Sequence, residues 1–462
     1  MTEKSTADDA SPLMLGVSGA RGIVGKTLTP AVATRFAQAF AAWLIQQRHA
    51  ELFATVVVGR DSRPSGEMIE SAVVAGLLSM GLRPRLTGIA STPAIAGAVK
   101  KCEAAGGLVL TASHNPGPWN GIKPLRGDAT APPPEDARWI VEAYHAGDFD
   151  LRDAQQTPRL AEPVPAVEWH VASVLQLVER NAIAERGFRV VLDATCGAGG
   201  HEVILLLEAL GVDVIALHAE PTGVFPHTPE PTRDNLTELC EVVAREKADL
   251  GVAVDPDADR LALVDETGRY IGEEYTLALL CRHRLGKGDL GVTNLSTSRM
   301  IDDAAADAGA TVVRTPVGEA NVAQAMRDHG AVIGGEGNGG VIVPELSWVR
   351  DGLAGIAMTL DMLATRDHPL GRIVDNMPAY VIEKDKRPRP DAYDPDALAE
   401  RARERFADAE IDTRDGIRLD WPDAWLSLRA SNTEPILRLI AESPTAERSR
   451  ELLDQAAALL AS

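Results

Sequence analysis

A β-branched strand, a polar loop and an apolar helix recur three times along this chain, a pattern that restricts it to right-handed crossovers between parallel strands. The first copy runs from Ala54–Val58 through Gly59-Arg60-Asp61-Ser62-Arg63-Pro64 into a helix from Ser65 that stops at Gly81. In the second, Arg189–Leu192 leads through Asp193-Ala194-Thr195-Cys196-Gly197-Ala198-Gly199-Gly200 into a leucine-rich helix ending at Gly211. The third has Leu290–Asn294, then Leu295-Ser296-Thr297-Ser298-Arg299, then an alanine-rich helix up to Gly309. A glycine at each helix end supplies the left-handed cap. Each copy continues into a second strand and a third, the third strands being Gly107–Leu110, Leu250–Val254 and Ala331–Ile333.

The last stretch breaks the pattern. Pro388-Arg389-Pro390 reads as a linker, Asp396–Glu410 as a charged amphipathic helix, Trp425–Ala430 and Ile436–Ile440 as strands, and Thr445–Leu460 as a closing helix. The expected fold is therefore α/β: three related α/β units with mixed, mainly parallel sheets plus a C-terminal α+β domain. Boundaries fall near residues 160, 265 and 376, which divides the chain into 1–160, 161–265, 266–376 and 377–462.

In open parallel sheets ligands gather beyond the carboxyl ends of the strands, so the segments after the three third strands are the places to look for chemistry. After the first comes Thr111-Ala112-Ser113-His114-Asn115-Pro116, with Lys123 close behind in Asn120-Gly121-Ile122-Lys123. Ser113 is either a nucleophile served by His114 and Lys123 or a turn residue bonded to its neighbours. After the second comes Asp255-Pro256-Asp257-Ala258-Asp259-Arg260, whose alternating carboxylates suit Mg²⁺ or form a solvated acidic turn. An EF-hand is rejected, because Arg260 stands where that loop requires glycine. After the third comes Gly334-Gly335-Glu336-Gly337-Asn338-Gly339-Gly340, either a loop that presents Glu336 and Asn338 to sugar hydroxyls or a flexible bend.

Two further segments offer cations. Arg429-Ala430-Ser431-Asn432-Thr433 joins a guanidinium to two hydroxyls and an amide, a set suited to a phosphate dianion. Arg21 lies in the glycine-flanked run Gly16–Gly25, which has neither P-loop nor dinucleotide-binding order. Together these residues specify phosphoryl transfer on a phosphorylated polyol. The 46 basic residues against 67 acidic ones give a net charge of −21, which disfavours nucleic acid and anionic membrane as partners. Cys102, Cys196, Cys240 and Cys281 are too scattered for a zinc or disulfide framework. The polar start MTEKSTADDASP has no apolar signal-peptide core, and no apolar run is long enough to span a membrane, so a cytoplasmic protein is expected.

The motifs TASHNP with NGIK, DPDADR, GEGN and RASNTEP, in that order over nearly the whole chain, resemble those of the α-D-phosphohexomutases, the family of phosphoglucomutase, phosphomannomutase and phosphoglucosamine mutase. The resemblance implies four domains around a central cleft. It implies that Ser113 carries the phosphoryl group, that Asp255, Asp257, Asp259 and an oxygen of phosphorylated Ser113 bind one Mg²⁺, and that a sugar 1,6-bisphosphate is both intermediate and activator. Lys123 would be the general acid/base, assisted by His114, with Arg21 and Arg260 near the transferring phosphate. Glu336 and Asn338 would read the sugar, while Arg429, Ser431, Asn432 and Thr433 would grip the distal phosphate. The partner would be a small sugar phosphate, and the protein a monomer or homodimer. Three positions depart from relatives: Asn338 and Gly340 stand where many bacterial members have Ser and His, and Glu319 follows Thr315-Pro316-Val317-Gly318 where several relatives have His. Glu319 and Glu336 together suit a cationic amino group at C2, which places glucosamine phosphate ahead of mannose and glucose phosphates; a Ser-dependent metallophosphatase is the other reading.

Overall fold

The computed structural model describes residues 13–390, 393–430 and 436–461. By packing, the chain divides into two compact units, one comprising residues up to Thr276 together with Gly340–Gly371, the other Leu277–Gly339 together with Arg372 onward.

The recurrence is real in three dimensions. In the first unit, Thr55–Arg60 lies between Arg83–Ile89 and Gly106–Leu110, parallel to both. Arg189–Asp193 lies in the same way between Asp213–Leu217 and Leu250–Val254. In the second unit, Leu290–Asn294 is flanked by Thr311–Thr315 and Ile333–Glu336. Each copy thus has the same order, with the second and third strands on either side of the first. The loops after the first and third strands of a copy therefore emerge side by side, which is the topological switch point of such sheets. The glycines expected to cap the helices do so, with φ of +81° at Gly81, +73° at Gly211 and +67° at Gly309.

The sheets are mixed because antiparallel strands extend them. Trp119–Arg126 pairs antiparallel with Gly106–Leu110 and with Gly19–Ile23, and Leu261–Val264 pairs antiparallel with Leu250–Val254. Arg21, expected in a glycine-rich loop, instead sits on a strand, opposite Gly121. Close approach makes this possible: a Cβ at Gly121 would lie 2.7 Å from the Thr111 carbonyl oxygen and 2.8 Å from that of Ala20.

The C-terminal portion is an antiparallel sheet in the order Val381–Pro388, Ile436–Ser443, Trp425–Ala430, Ile417–Asp420, Glu410–Asp412. Three expectations are corrected here and in the third copy. Pro388 does not break the chain; it ends an edge strand, where a missing N–H costs little. The helix expected over 396–410 is Pro395–Arg405, because Phe406 leaves the helix to pack edge-on against Trp421, with ring centroids 5.6 Å apart. The third strand of the third copy is not 331–333 but Ile333–Glu336, so Glu336 ends a strand rather than sitting in a loop. Its glycines belong to the strand because the preceding helix, Glu319–His329, presses on it: a Cβ at Gly334 would run into the Met326 side chain.

Candidate active site

Ser113 follows the strand Gly106–Leu110 with a φ of +49°, a left-handed conformation that non-glycine residues rarely adopt and that needs support from its surroundings. That support is Arg63, fully buried and ion-paired to Asp61 at 3.0 Å. Arg63 donates through Nη2 to the carbonyls of Ser113 (2.6 Å) and Asn115 (2.7 Å), and through Nη1 to those of Pro116 and Trp119 (both 3.0 Å). Thr111 ties the same region together, donating to Asp61 Oδ2 and accepting from the Ser113 N–H. The loops after the first and third strands of this copy therefore act as one rigid cradle for the serine.

Ser113 Oγ donates to Asp255 Oδ2 at 2.9 Å and lies 3.3 Å from His114 Nδ1. Asp255, Asp257 and Asp259 are fully buried or nearly so, and ligand atoms from all three lie within 4.8 Å of one another. Ala258 takes a φ of +51°, a left-handed residue in the turn that gathers them. Asp257 Oδ2 accepts from Thr92 Oγ1 and from Lys123 Nζ, both at 2.7 Å. Asp259 Oδ2 accepts from Arg350 Nη2 at 2.6 Å and faces Lys123 Nζ at 3.5 Å. Asp257 Oδ1 and Asp259 Oδ1, both buried, have no hydrogen-bond partner among the described residues. Orphaned buried carboxylate oxygens are costly unless a cation meets them, and an all-oxygen donor set fits a hard divalent ion. These three residues could hold a metal.

The charges around the cluster divide in direction. Burial and the neighbouring Asp259 and Asp257 raise the pKa of Asp255 well above the carboxylate range. Burial pushes Asp259 the same way, but Arg350, Lys123 and Arg260 outweigh it and hold this carboxyl low. Burial would lower the pKa of Lys123, yet Asp257 and Asp259 raise it, so its ammonium persists. Burial, Arg260 and Arg21 drive His114 down to about 2. His114 is thus a neutral imidazole, and its 4.0 Å approach to Glu230 is not an ion pair.

Arg21 donates to Asn115 Oδ1 at 2.7 Å, and Arg260 bonds Glu230 Oε1 at 3.3 Å. Ser113, His114, Lys123, Arg21, Arg260 and the three aspartates are all brought together within the first unit. In the second unit, Glu336 is buried and accepts from Asn294 Nδ2 at 2.8 Å, while Asn338 Nδ2 lies 3.4 Å from Glu336 Oε2. Glu319 opens the helix Glu319–His329 just beyond Thr311–Thr315, on the carboxyl edge of the sheet that also carries Glu336. Arg429 sits on the strand Trp425–Ala430, 3.9 Å from Asp415. Ser431, Asn432 and Thr433 lie outside the described residues.

Arg63, Asp61, Thr92, Glu230 and Arg350 escaped the sequence reading as site residues. Arg63 and Asp61 were within reach, since they stand in the first-copy loop equivalent to those already singled out. Arg350 carried no signal: it meets Asp259 across 91 residues of chain.

Comparison with known proteins covers nearly the whole chain. Residues 12–151, 168–268 and 273–380 match the phosphoglucomutase/phosphomannomutase alpha/beta/alpha domains I, II and III, and residues 383–459 match the C-terminal domain of the same family. The chain belongs to this family. It is 37% identical to a phosphoglucomutase/phosphomannomutase of Thermococcus kodakarensis, over 97% of this chain and 98% of that protein. It is 36% identical to a probable phosphoglucosamine mutase of Methanopyrus kandleri, over 95% and 96% of the two chains. A crystal structure of a family protein from Burkholderia thailandensis superposes with a TM-score of 0.84 at 25% identity, covering 97% of this chain and 98% of that one. This protein is a phosphohexomutase, an isomerase acting on sugar phosphates, with three α/β domains and a C-terminal domain built on an antiparallel sheet. Among the described residues of this phosphohexomutase, no helix is long and apolar enough to cross a membrane.

Proposed function

We propose that this phosphohexomutase interconverts glucosamine 6-phosphate and glucosamine 1-phosphate through phosphorylated Ser113 and a sugar 1,6-bisphosphate. The observation that supports the route is Ser113 Oγ itself, held at a strained backbone position 2.9 Å from Asp255 and beside two carboxylate oxygens that have no hydrogen-bond partner among the described residues. One Mg²⁺, held by Asp255, Asp257, Asp259 and a phosphoryl oxygen on Ser113, would supply charge neutralisation at the transferring group. In the forward half-reaction a sugar hydroxyl attacks phosphorus: the new P–O bond to the sugar forms as the bond to Ser113 Oγ breaks. The Lys123 ammonium, as the acid/base group, gives Ser113 Oγ its proton, while the neutral imidazole of His114, 3.3 Å from Oγ, assists by taking the proton that the attacking hydroxyl loses; the return half-reaction restores both groups. Arg21 and Arg260 counter the charge on the phosphoryl oxygens. The bisphosphate then turns over and returns its other phosphate to Ser113; added bisphosphate activates enzyme that has lost its phosphoryl group.

Glu336 and Asn338 are assigned to the sugar hydroxyls, and Arg429 with Ser431, Asn432 and Thr433 to the distal phosphate. Glu319 and Glu336, on one sheet edge, favour a cationic amino group at C2. The assignment of glucosamine is also supported by the names of relatives such as the Methanopyrus kandleri protein, while mannose and glucose phosphates are the alternative suggested by the Thermococcus kodakarensis relative. Domains are assigned to 1–160, 161–265, 266–376 and 377–462. Phosphorus NMR with Mg²⁺, a trace of sugar 1,6-bisphosphate, and glucosamine, mannose or glucose 1-phosphate in separate tubes tests the reading. Conversion to the 6-phosphate fastest for glucosamine is expected. Free phosphate without isomer would assign a Ser113-dependent metallophosphatase instead. Glu319→Gln should lower the glucosamine-to-glucose rate ratio; an unchanged ratio would remove Glu319 from sugar selection.

A further inference from the structure

Asp193 ends the strand Arg189–Asp193, and His218 follows its parallel neighbour Asp213–Leu217, so the two stand side by side at the carboxyl ends of paired strands. His218 Nδ1 lies 3.5 Å from Asp193 Oδ1, and His227 Nε2 lies 3.1 Å from Asp193 Oδ2. Ligand atoms from all three residues fall within 4.8 Å of one another. Zn–N and Zn–O bonds of ~2.0–2.1 Å place neighbouring tetrahedral ligand atoms ~3.3 Å apart; each imidazole stands near that spacing from one oxygen of Asp193, His218 from Oδ1, which also accepts from the Thr195 N–H, and His227 from Oδ2.

The remaining ring nitrogens face the partners that metal-bound histidines use. His227 Nδ1 meets the Thr228 carbonyl at 2.9 Å, which leaves Nε2 directed at Asp193. His218 Nε2 faces Glu238 Oε2 at 3.6 Å, and its Nδ1 is buried with no hydrogen-bond partner among the described residues. That atom is an orphan that a cation would satisfy. The Asp193 side chain is 2% exposed while those of His218 and His227 are 22% and 19% exposed, so an ion has a path in.

We propose that Asp193, His218 and His227 form a second cation site, selective for a borderline divalent transition metal of the Zn²⁺ type, that fastens residues 218–230 beside the active site. Two imidazoles and one carboxylate with an open position suit such a metal, whereas Mg²⁺ prefers the all-oxygen cluster of Asp255, Asp257 and Asp259. The segment it fastens carries Phe225, whose ring centroid lies 4.9 Å from the guanidinium of Arg63. It also carries Glu230, which bonds Arg260 at 3.3 Å and approaches His114 at 4.0 Å.

The test uses the full chain, stripped with EDTA, dialysed, and held in excess Mg²⁺ so that the oxygen cluster is served. Titration calorimetry with Zn²⁺ should then show one saturable site, and Co²⁺ should give the intense visible bands of tetrahedral nitrogen ligation. His218→Ala and His227→Ala should each weaken Zn²⁺ binding ~100-fold or more, while Asp255→Asn should retain it. Zn²⁺ should also raise the Tm of the unaltered protein and not that of His218→Ala. No saturable binding, only the pale spectrum of octahedral Co²⁺, or equal affinity in the histidine variants would overturn the site. Loss of Zn²⁺ binding in Asp255→Asn alone would move the ion to the oxygen cluster and overturn it as well. If the histidine variants fail to fold, the Co²⁺ spectrum of the unaltered protein decides. All readouts are taken without substrate, so they stand or fall separately from the mutase reaction.

Discussion

Two buried ionic clusters within the first unit look alike in composition and differ in one respect. His170 Nδ1 meets Glu202 Oε1 at 2.7 Å and its Nε2 meets Asp351 Oδ2 at 2.8 Å. The other oxygens of these carboxylates accept from the Ser91 and Ala354 N–H groups. Every polar atom of that triad has a partner. In the Asp255–Asp257–Asp259 cluster two equally buried oxygens, Asp257 Oδ1 and Asp259 Oδ1, have no hydrogen-bond partner among the described residues, the second having only Arg260 Nε at 3.9 Å. A buried charge group that closes on itself holds elements together; one left open is prepared for something that arrives later. The closed triad also serves the open cluster. Glu202 holds Ser91, next to the Thr92 that bonds Asp257, and Asp351 adjoins the Arg350 that bonds Asp259.

The largest expected effect breaks the chemistry and leaves both clusters folded. Ser113→Ala should reduce mutase turnover by at least ~10⁴-fold in the phosphorus NMR assay, with an unchanged circular dichroism spectrum. Appreciable residual turnover would sever the open cluster from a covalent route.

Next comes the closed triad. His170→Ala leaves two buried carboxylates facing each other and should cost ~3–5 kcal/mol of stability in urea unfolding. Burial lowers the pKa of His170, but Asp351 and Glu202 outweigh it and push it up to about 10. With the folded value above the ordinary 6.5, the stabilisation is fully present below that pH and is lost as pH rises through about 10. The urea midpoint of the unaltered protein should therefore fall across that window, on the order of 5 kcal/mol in all, and that slope should vanish in His170→Ala. A slope that survives the substitution would contradict the closed reading.

Mg²⁺ sharpens the contrast from the other side. At a hundredfold excess over its Kd it should add ~2.7 kcal/mol of stability, seen as a raised Tm, in the unaltered protein and not in Asp257→Asn. The smallest effect serves as a control outside both clusters. Arg429→Ala should raise KM ~10-fold or more, the scale of one charged hydrogen bond, with Mg²⁺ affinity unchanged. A large fall in Mg²⁺ affinity would place Arg429 with the metal instead of the distal phosphate.

Much of this protein is visible in its sequence because the information is local. A β-branched run, a polar loop and a glycine-capped helix are short-range statements, and Thr55–Arg60, Arg189–Asp193 and Leu290–Asn294 all appear where such statements put them. Asp255, Asp257 and Asp259 are legible for the same reason: alternating carboxylates in six residues must share one turn. Glu336 was misplaced because glycine argues for a loop unless the helix pressing on it is known. What the tertiary structure alone decided is which distant charges meet. His170 reaches Asp351 across 181 residues, Arg350 reaches Asp259 across 91, and Asp193 gathers two histidines from beyond a neighbouring strand. No local pattern encodes these contacts, since each depends on the register of strands and the docking of helices. Burial then raises the strength of every such contact by removing water, so the least legible pairs are among those that matter most to the site.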